Sequence, residues 1–93
     1  MFNHYVSWSF KEDVNKAQAF GEIQDALYCL NDIIEGIVEL KFIKTLKTST
    51  CDVALISSFD NKNAYEAYAI HPKHLEAVEI IKKYLTSRHC IDF

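Results

Sequence analysis

Glycine and proline are scarce in this chain, two and one among 93 residues. That scarcity, beside a 49% hydrophobic and 13% aromatic composition, excludes disorder and collagen-like repeats. No basic block is longer than Lys82-Lys83, and the formal charge is −3, so nucleic acid is not an expected partner. Absent too is any apolar run of the roughly 18 residues that a membrane span needs. Strand-like alternation begins at Phe2 rather than after a basic n-region, so neither secretion nor membrane insertion is expected. The three cysteines, Cys29, Cys51 and Cys90, form no CxxC and cannot all pair; they read as reduced thiols in a cytoplasmic protein. What remains is a single domain over residues 1–93, too short for a two-domain enzyme. A chain of this size buries only about 60–65% of its unfolded surface, so its core must recruit most of the apolar residues, with a second subunit as a natural source of further burial.

Phe2 to Phe10 alternates with period two and is rich in aromatics, which predicts a strand. Phe2, His4, Val6, Trp8 and Phe10 share one face; Asn3, Tyr5, Ser7 and Ser9 share the other. From Asn15 to Ile34 the period becomes helical, through Phe20, Ile23, Leu27, Leu30 and Ile34. Asp13 and Asn15 can each cap its start, and Gly36 stands where a left-handed residue would end it. Gly21, inside this helix, costs about 1 kcal/mol relative to alanine and is expected to permit a close approach. Ile37 to Leu46 predicts a second strand with Val38, Leu40 and Phe42 on one side. After the polar turn Lys47–Thr50, Cys51 to Phe59 alternates again, with Val53, Leu55, Ser57 and Phe59 on one face, which completes a hairpin. Asp60 is expected to cap a short helix that breaks at His71-Pro72, and His71 to cap the next, which runs to Leu85 through Leu75, Val78 and Ile81. Arg88 to Phe93 closes the chain as a fourth strand.

Strand, helix, strand, strand, helix pair, strand is the split βαβ order of an α+β, ferredoxin-like fold with a four-stranded antiparallel sheet. Helices cover one face of such a sheet. The other face would carry Tyr5, Ile37, Ile43, Ile56 and Ile91, more contiguous apolar area than monomers usually expose. A homodimer stacking these open faces into a dimeric α/β barrel is therefore expected.

Four segments carry a resemblance: His4-Tyr5-Val6-Ser7-Trp8-Ser9-Phe10-Lys11, Asp52-Val53-Ala54-Leu55-Ile56-Ser57-Ser58-Phe59, Ala67-Tyr68-Ala69-Ile70-His71-Pro72-Lys73-His74 and Cys90-Ile91-Asp92-Phe93. In this order they resemble the stress-responsive A/B barrel family of dimeric α+β barrels, which includes olivetolic acid cyclase-like proteins. The HPxH piece after a tyrosine is the most specific part. The resemblance implies a ferredoxin-like protomer and a homodimer. For a cyclase-like activity it further implies a first-strand histidine matching His4, a tyrosine matching Tyr68 and a second histidine matching His74; a further tyrosine of the first helix falls near Leu27 or Tyr28.

His74 would be the third residue of the helix opened by Pro72, where free N–H groups and the helix dipole favour a neutral imidazole. Such an imidazole could act as a general base, with Tyr68 as proton donor and His4 as electrophilic stabiliser of an aldol-type closure. The plainer reading is structural: His74 braces the helix junction, Tyr68 fills the core, and His4 is a satisfied core histidine. Val6, Trp8, Leu27 and Tyr28 are the expected wall of a cavity between helices and sheet, large enough for a small apolar ligand unless Trp8 plugs it. No metal site is expected, because His4, His71, His74 and His89 lack ligand spacing, and no cofactor, because the aromatics read as core. Cys29 reads as an inert thiol, and Glu76, Glu79, Lys82 and Lys83 as a solvated helix face. Three functions follow: a homodimer binding a small apolar ligand, a cofactor-independent polyketide cyclase-like enzyme, or a non-catalytic structural or interaction module whose interior is closed by bulky side chains.

Overall fold

The computed structural model describes residues 1–93. β1 (Phe2–Phe10) is the strand the alternation predicts, and its register fixes the faces of the whole sheet. It lies between β3 (Val53–Phe59) and β4 (Leu85–Asp92), with β2 (Ile37–Lys44) on the outer side of β3. All three pairings are antiparallel. α1 (Lys16–Tyr28), α2 (Lys62–Ile70) and α3 (Pro72–Tyr84) complete the ferredoxin-like order. None of these helices is long and apolar enough to cross a membrane.

The core forms where β1, β3 and β2 turn their apolar faces to the helices. Val6, Trp8, Leu55, Val53, Leu40 and Phe42 from the sheet meet Ile23, Leu27, Tyr68 and Ile81 from above. Along β2 the alternation is broken by an irregularity between Ile37 and Glu39. One extra residue shifts the facing of everything before it. Ile37 is thereby brought opposite Phe59 and packs on the core, while Val38 is 51% exposed, the reverse of the expected facing.

Other expectations are corrected at the element ends. The first helix stops at Tyr28 and continues as a 3₁₀ turn over Cys29–Asp32, not as α-helix to Ile34. Both windings leave Leu30 and Ile34 buried, so the apolar spacing could not tell them apart. Asn15, not Asp13, caps α1, its side chain accepting from Gln18 N–H at 3.0 Å; Asp13 adopts a left-handed φ of 65°. Asn61 rather than Asp60 caps α2, accepting from Ala64 N–H at 2.9 Å. Nothing lies within 4 Å of where a Cβ on Gly21 would be, so that glycine serves no close approach. On α3 Leu75 is 49% exposed, and the buried stripe runs instead through Ala77, Ile81 and Tyr84. β4 begins at Leu85, directly after α3, three residues before the expected start at Arg88.

His71 behaves as its place before proline requires. With φ −64° and ψ 134° it ends α2, and its Nδ1 accepts from Lys73 N–H at 3.1 Å to cap α3. Pro72 then occupies the first helical position, which makes His74 the third residue of α3 and aims it back toward α2.

Candidate functional site

Between the helices and the β1–β4 side of the sheet lies a cavity of about 320 Å³. Its floor is His4, Val6 and Trp8 of β1 with Leu55 of β3; its roof is Leu27 of α1, Tyr65 and Tyr68 of α2, and His74, Val78 and Ile81 of α3. Lys82 and the run Leu85–Arg88 form the remaining side. The volume is about twice that of an apolar protein cavity known to hold a benzene ring, and is at the small end of ligand sites. Trp8 is a wall of this space and does not fill it; its ring stands edge-on to Phe42 at 6.4 Å.

Of the residues singled out from the sequence, His4, Tyr68, His74, Val6, Trp8 and Leu27 all lie on this one cavity. Tyr28 does not. Its hydroxyl accepts from Phe42 N–H at 3.0 Å and donates to Phe42 C=O at 3.4 Å, so the side chain seals the outer edge of β2. That edge demand is invisible in a helical wheel, which is why Tyr28 and Leu27 could not be separated beforehand.

His4 is buried on β1, and its Nδ1–H donates to the carboxylate of Asp92, which sits opposite it in the β1–β4 register. This bond fixes the tautomer, so in the neutral ring Nε2 is the nitrogen left to accept. The Tyr65 ring lies 4.7 Å from that of His4 and stacks on Phe2. Burial pushes the Tyr65 hydroxyl above the usual tyrosine range, with Asp92 adding to the rise and Arg88 opposing it.

Tyr68 is almost fully buried, its ring 4.8 Å from Phe59 and 4.2 Å from His74. Its hydroxyl is a buried polar atom with no hydrogen-bond partner. Burial, and secondarily Tyr65, hold that hydroxyl protonated far above ordinary tyrosine. It is therefore a donor that lacks an acceptor, an arrangement costing about 1–3 kcal/mol while unfilled.

His74 donates Nδ1–H to the Ala69 carbonyl at 3.1 Å. Its pKa is lowered chiefly by burial, against the Ala69 hydrogen bond, which raises it, and with small further lowering from His4 and His71. Desolvation thus acts in the same direction as the helix terminus, toward a neutral ring. A histidine depressed in the folded state contributes stability that is present above the unfolded value of 6.5 and is lost as pH falls below it. The thermal midpoint should therefore drop between about pH 7.5 and about pH 5.5, and drop less in His74→Gln, whose amide cannot titrate. Parallel curves for the two proteins would remove His74 as the cause.

Sequence reasoning missed Tyr65, Asp92, Ser87 and Arg88. Asp92 could have been found only from the register that sets His4 opposite it. Lys82, read as part of a solvated face, lines the cavity while its ammonium stays at the surface 3.8 Å from Glu79. No three His, Cys, Asp or Glu side chains converge as a metal set.

A family model described as the stress responsive A/B barrel domain matches residues 2–93. No curated protein matches the sequence. Among solved structures, a dimeric protein of unknown function and ferredoxin-like fold from Bacteroides fragilis is 28% identical over 99% of this chain and 93% of its own, with a TM-score of 0.88. A dimeric ferredoxin-like protein of unknown function from Thermobifida fusca is 23% identical, covering 99% and 88% respectively, at a TM-score of 0.86. A hydroxynitrile lyase from Passiflora edulis is 15% identical over 99% and 90%, with a TM-score of 0.85, a likeness of fold alone.

Proposed function

The chain belongs to the stress-responsive A/B barrel family, and from that premise we propose that it is a homodimer, paired through its open sheet face, which binds a small apolar ligand bearing a hydrogen-bond acceptor in the cavity beneath α3. The observation that carries this reading is a cavity of about 320 Å³ lined by Tyr68, a residue whose buried hydroxyl has no hydrogen-bond partner. A donor buried without an acceptor is unfavourable, and a ligand carbonyl or ether oxygen reaching Tyr68 would satisfy it. The apolar walls supply the affinity and the polar atoms set the orientation. Unfilled space of this size argues against an interior closed by bulky side chains. The three free cysteines suit a reducing, cytoplasmic setting.

A second reading is an enzyme acting without a cofactor on a polyketide-like substrate. What favours it is the pairing of the Tyr68 donor with His74, whose Nδ1 is occupied by Ala69 and whose Nε2 is free to take a proton. In that case His74 removes a proton from a carbon acid, and Tyr68 donates to the oxygen on which charge develops. His4, oriented by Asp92, is the positioned second imidazole.

Titration with butyrophenone tests the site, because its carbonyl is an acceptor and Trp8, the chain's one tryptophan, reports from the cavity wall. Tyr68→Phe should weaken binding about ten-fold. It should leave the thermal midpoint unchanged or raise it, since the variant deletes an unsatisfied group. Equal binding by both proteins would dissociate Tyr68 from ligand recognition.

A further inference from the structure

β4 contains a bulge whose product is the placement of an arginine. Ser7 pairs with His89 and Ser9 with Thr86, so Ser87 and Arg88 together face the single residue Trp8. Ser87 accommodates the extra residue with φ 57°, a left-handed conformation that costs a non-glycine residue roughly 1–2 kcal/mol. Both side chains of such a bulge turn to the face of the residue opposite, here the cavity face. Ser87 and Arg88 accordingly line the cavity.

Arg88 is the only arginine in the sequence. It is exposed and takes part in none of the ion pairs of the structure. The other cation at the mouth, Lys82, already faces Glu79. A planar guanidinium without an anion, over an apolar cavity, matches a carboxylate with two parallel hydrogen bonds. The one acidic group on the same face of β4, Asp92, is engaged by His4. It lies four residues along the extended strand, about 13 Å from Arg88 between Cα atoms.

Resting on the ligand-binding reading above, we propose that the ligand is a small amphiphilic carboxylic acid. Its carboxylate is held by Arg88 at the β4 bulge, and its apolar body, of about ten carbons, lies along Trp8, Val78 and Ile81 toward Tyr68. The strained serine is what delivers Arg88 to this mouth.

The test compares 4-phenylbutyrate with the uncharged 4-phenyl-1-butanol by Trp8 fluorescence and calorimetry, on the full chain. The wild type should bind the acid about ten-fold more tightly than the alcohol. Arg88→Gln should abolish that preference by weakening the acid alone. Unchanged alcohol affinity in the variant reports that its cavity is intact. Equal affinity of the two compounds for the wild type, or a preference that survives in Arg88→Gln, overturns the acid proposal and leaves the cavity reading standing. Binding of neither compound, nor of butyrophenone, overturns both.

Discussion

Gly36→Ala should lower stability by about 3 kcal/mol, the sum of backbone strain of roughly 1–2 kcal/mol and an overpacking cost of similar size. Gly36 has φ +88°, where an L side chain is strained whatever the space around it. Space is also lacking: an added Cβ would stand 2.6 Å from the Ala64 Cβ, inside the contact limit of two carbons. Neither neighbour can yield cheaply. Gly36 C=O accepts from Asp60 N–H at 2.9 Å, which pins the turn, and Ala64 sits in the first turn of α2. Relief would require α2 to lift, and α2 carries Tyr65 and Tyr68 over the cavity. Urea denaturation checks the value, with Gly21→Ala as the control substitution at a site with open space. A loss below about 1 kcal/mol would mean the turn relaxes more readily than its contacts imply.

On the proposed pairing through the open sheet face, Ile56→Asp should convert a dimer to a folded monomer. Across the open face Ile56 pairs with Tyr5, and Tyr5 in turn with Ile91. Phe93 stands edge-on to Tyr5 at 5.2 Å, and Ile43 extends the same apolar patch. Ile91 and Phe93 are 65% and 61% exposed in the single chain, an arrangement suited to burial against a second copy. In a two-fold interface each substitution occurs twice, so two carboxylates would be desolvated without partners, at several kcal/mol apiece. The dimer should therefore weaken by more than about 100-fold. The protomer should remain folded, because the replaced side chain lies outside the helix-side core. Light scattering at micromolar concentration should report twice 10.7 kDa for the wild type and 10.7 kDa for the variant. A wild-type monomer, or a variant still dimeric, would refute pairing through this face.

The parts of this molecule legible beforehand are those governed by local period and local sterics. Alternation from Phe2 to Phe10 separates His4, Val6 and Trp8 from Tyr5 and Ser7, and the sheet keeps that division. Proline at position 72 ends one helix and begins the next, so the HPxH spacing places His74 near Tyr68 by geometry that involves few residues. Ile37 and Val38 were not legible, because a bulge is a property of two paired strands and leaves the period of one unmarked. The end of α1 was illegible for a different reason: α and 3₁₀ turns bury the same apolar positions over so short a stretch.

By itself, the order and periodicity of the residues determined a four-stranded α+β protomer with an apolar face left over, since each face must be buried against something and few arrangements of these elements do so. Tertiary structure alone decided the chemistry of the cavity. Asp92 meets His4 through strand pairing 88 residues apart in sequence, Arg88 reaches the mouth through a bulge, and the packing of α2 leaves the Tyr68 hydroxyl buried without a partner. Side-chain periodicity reports which way a residue faces; what it meets there depends on registers and packing distances that no short stretch of sequence encodes.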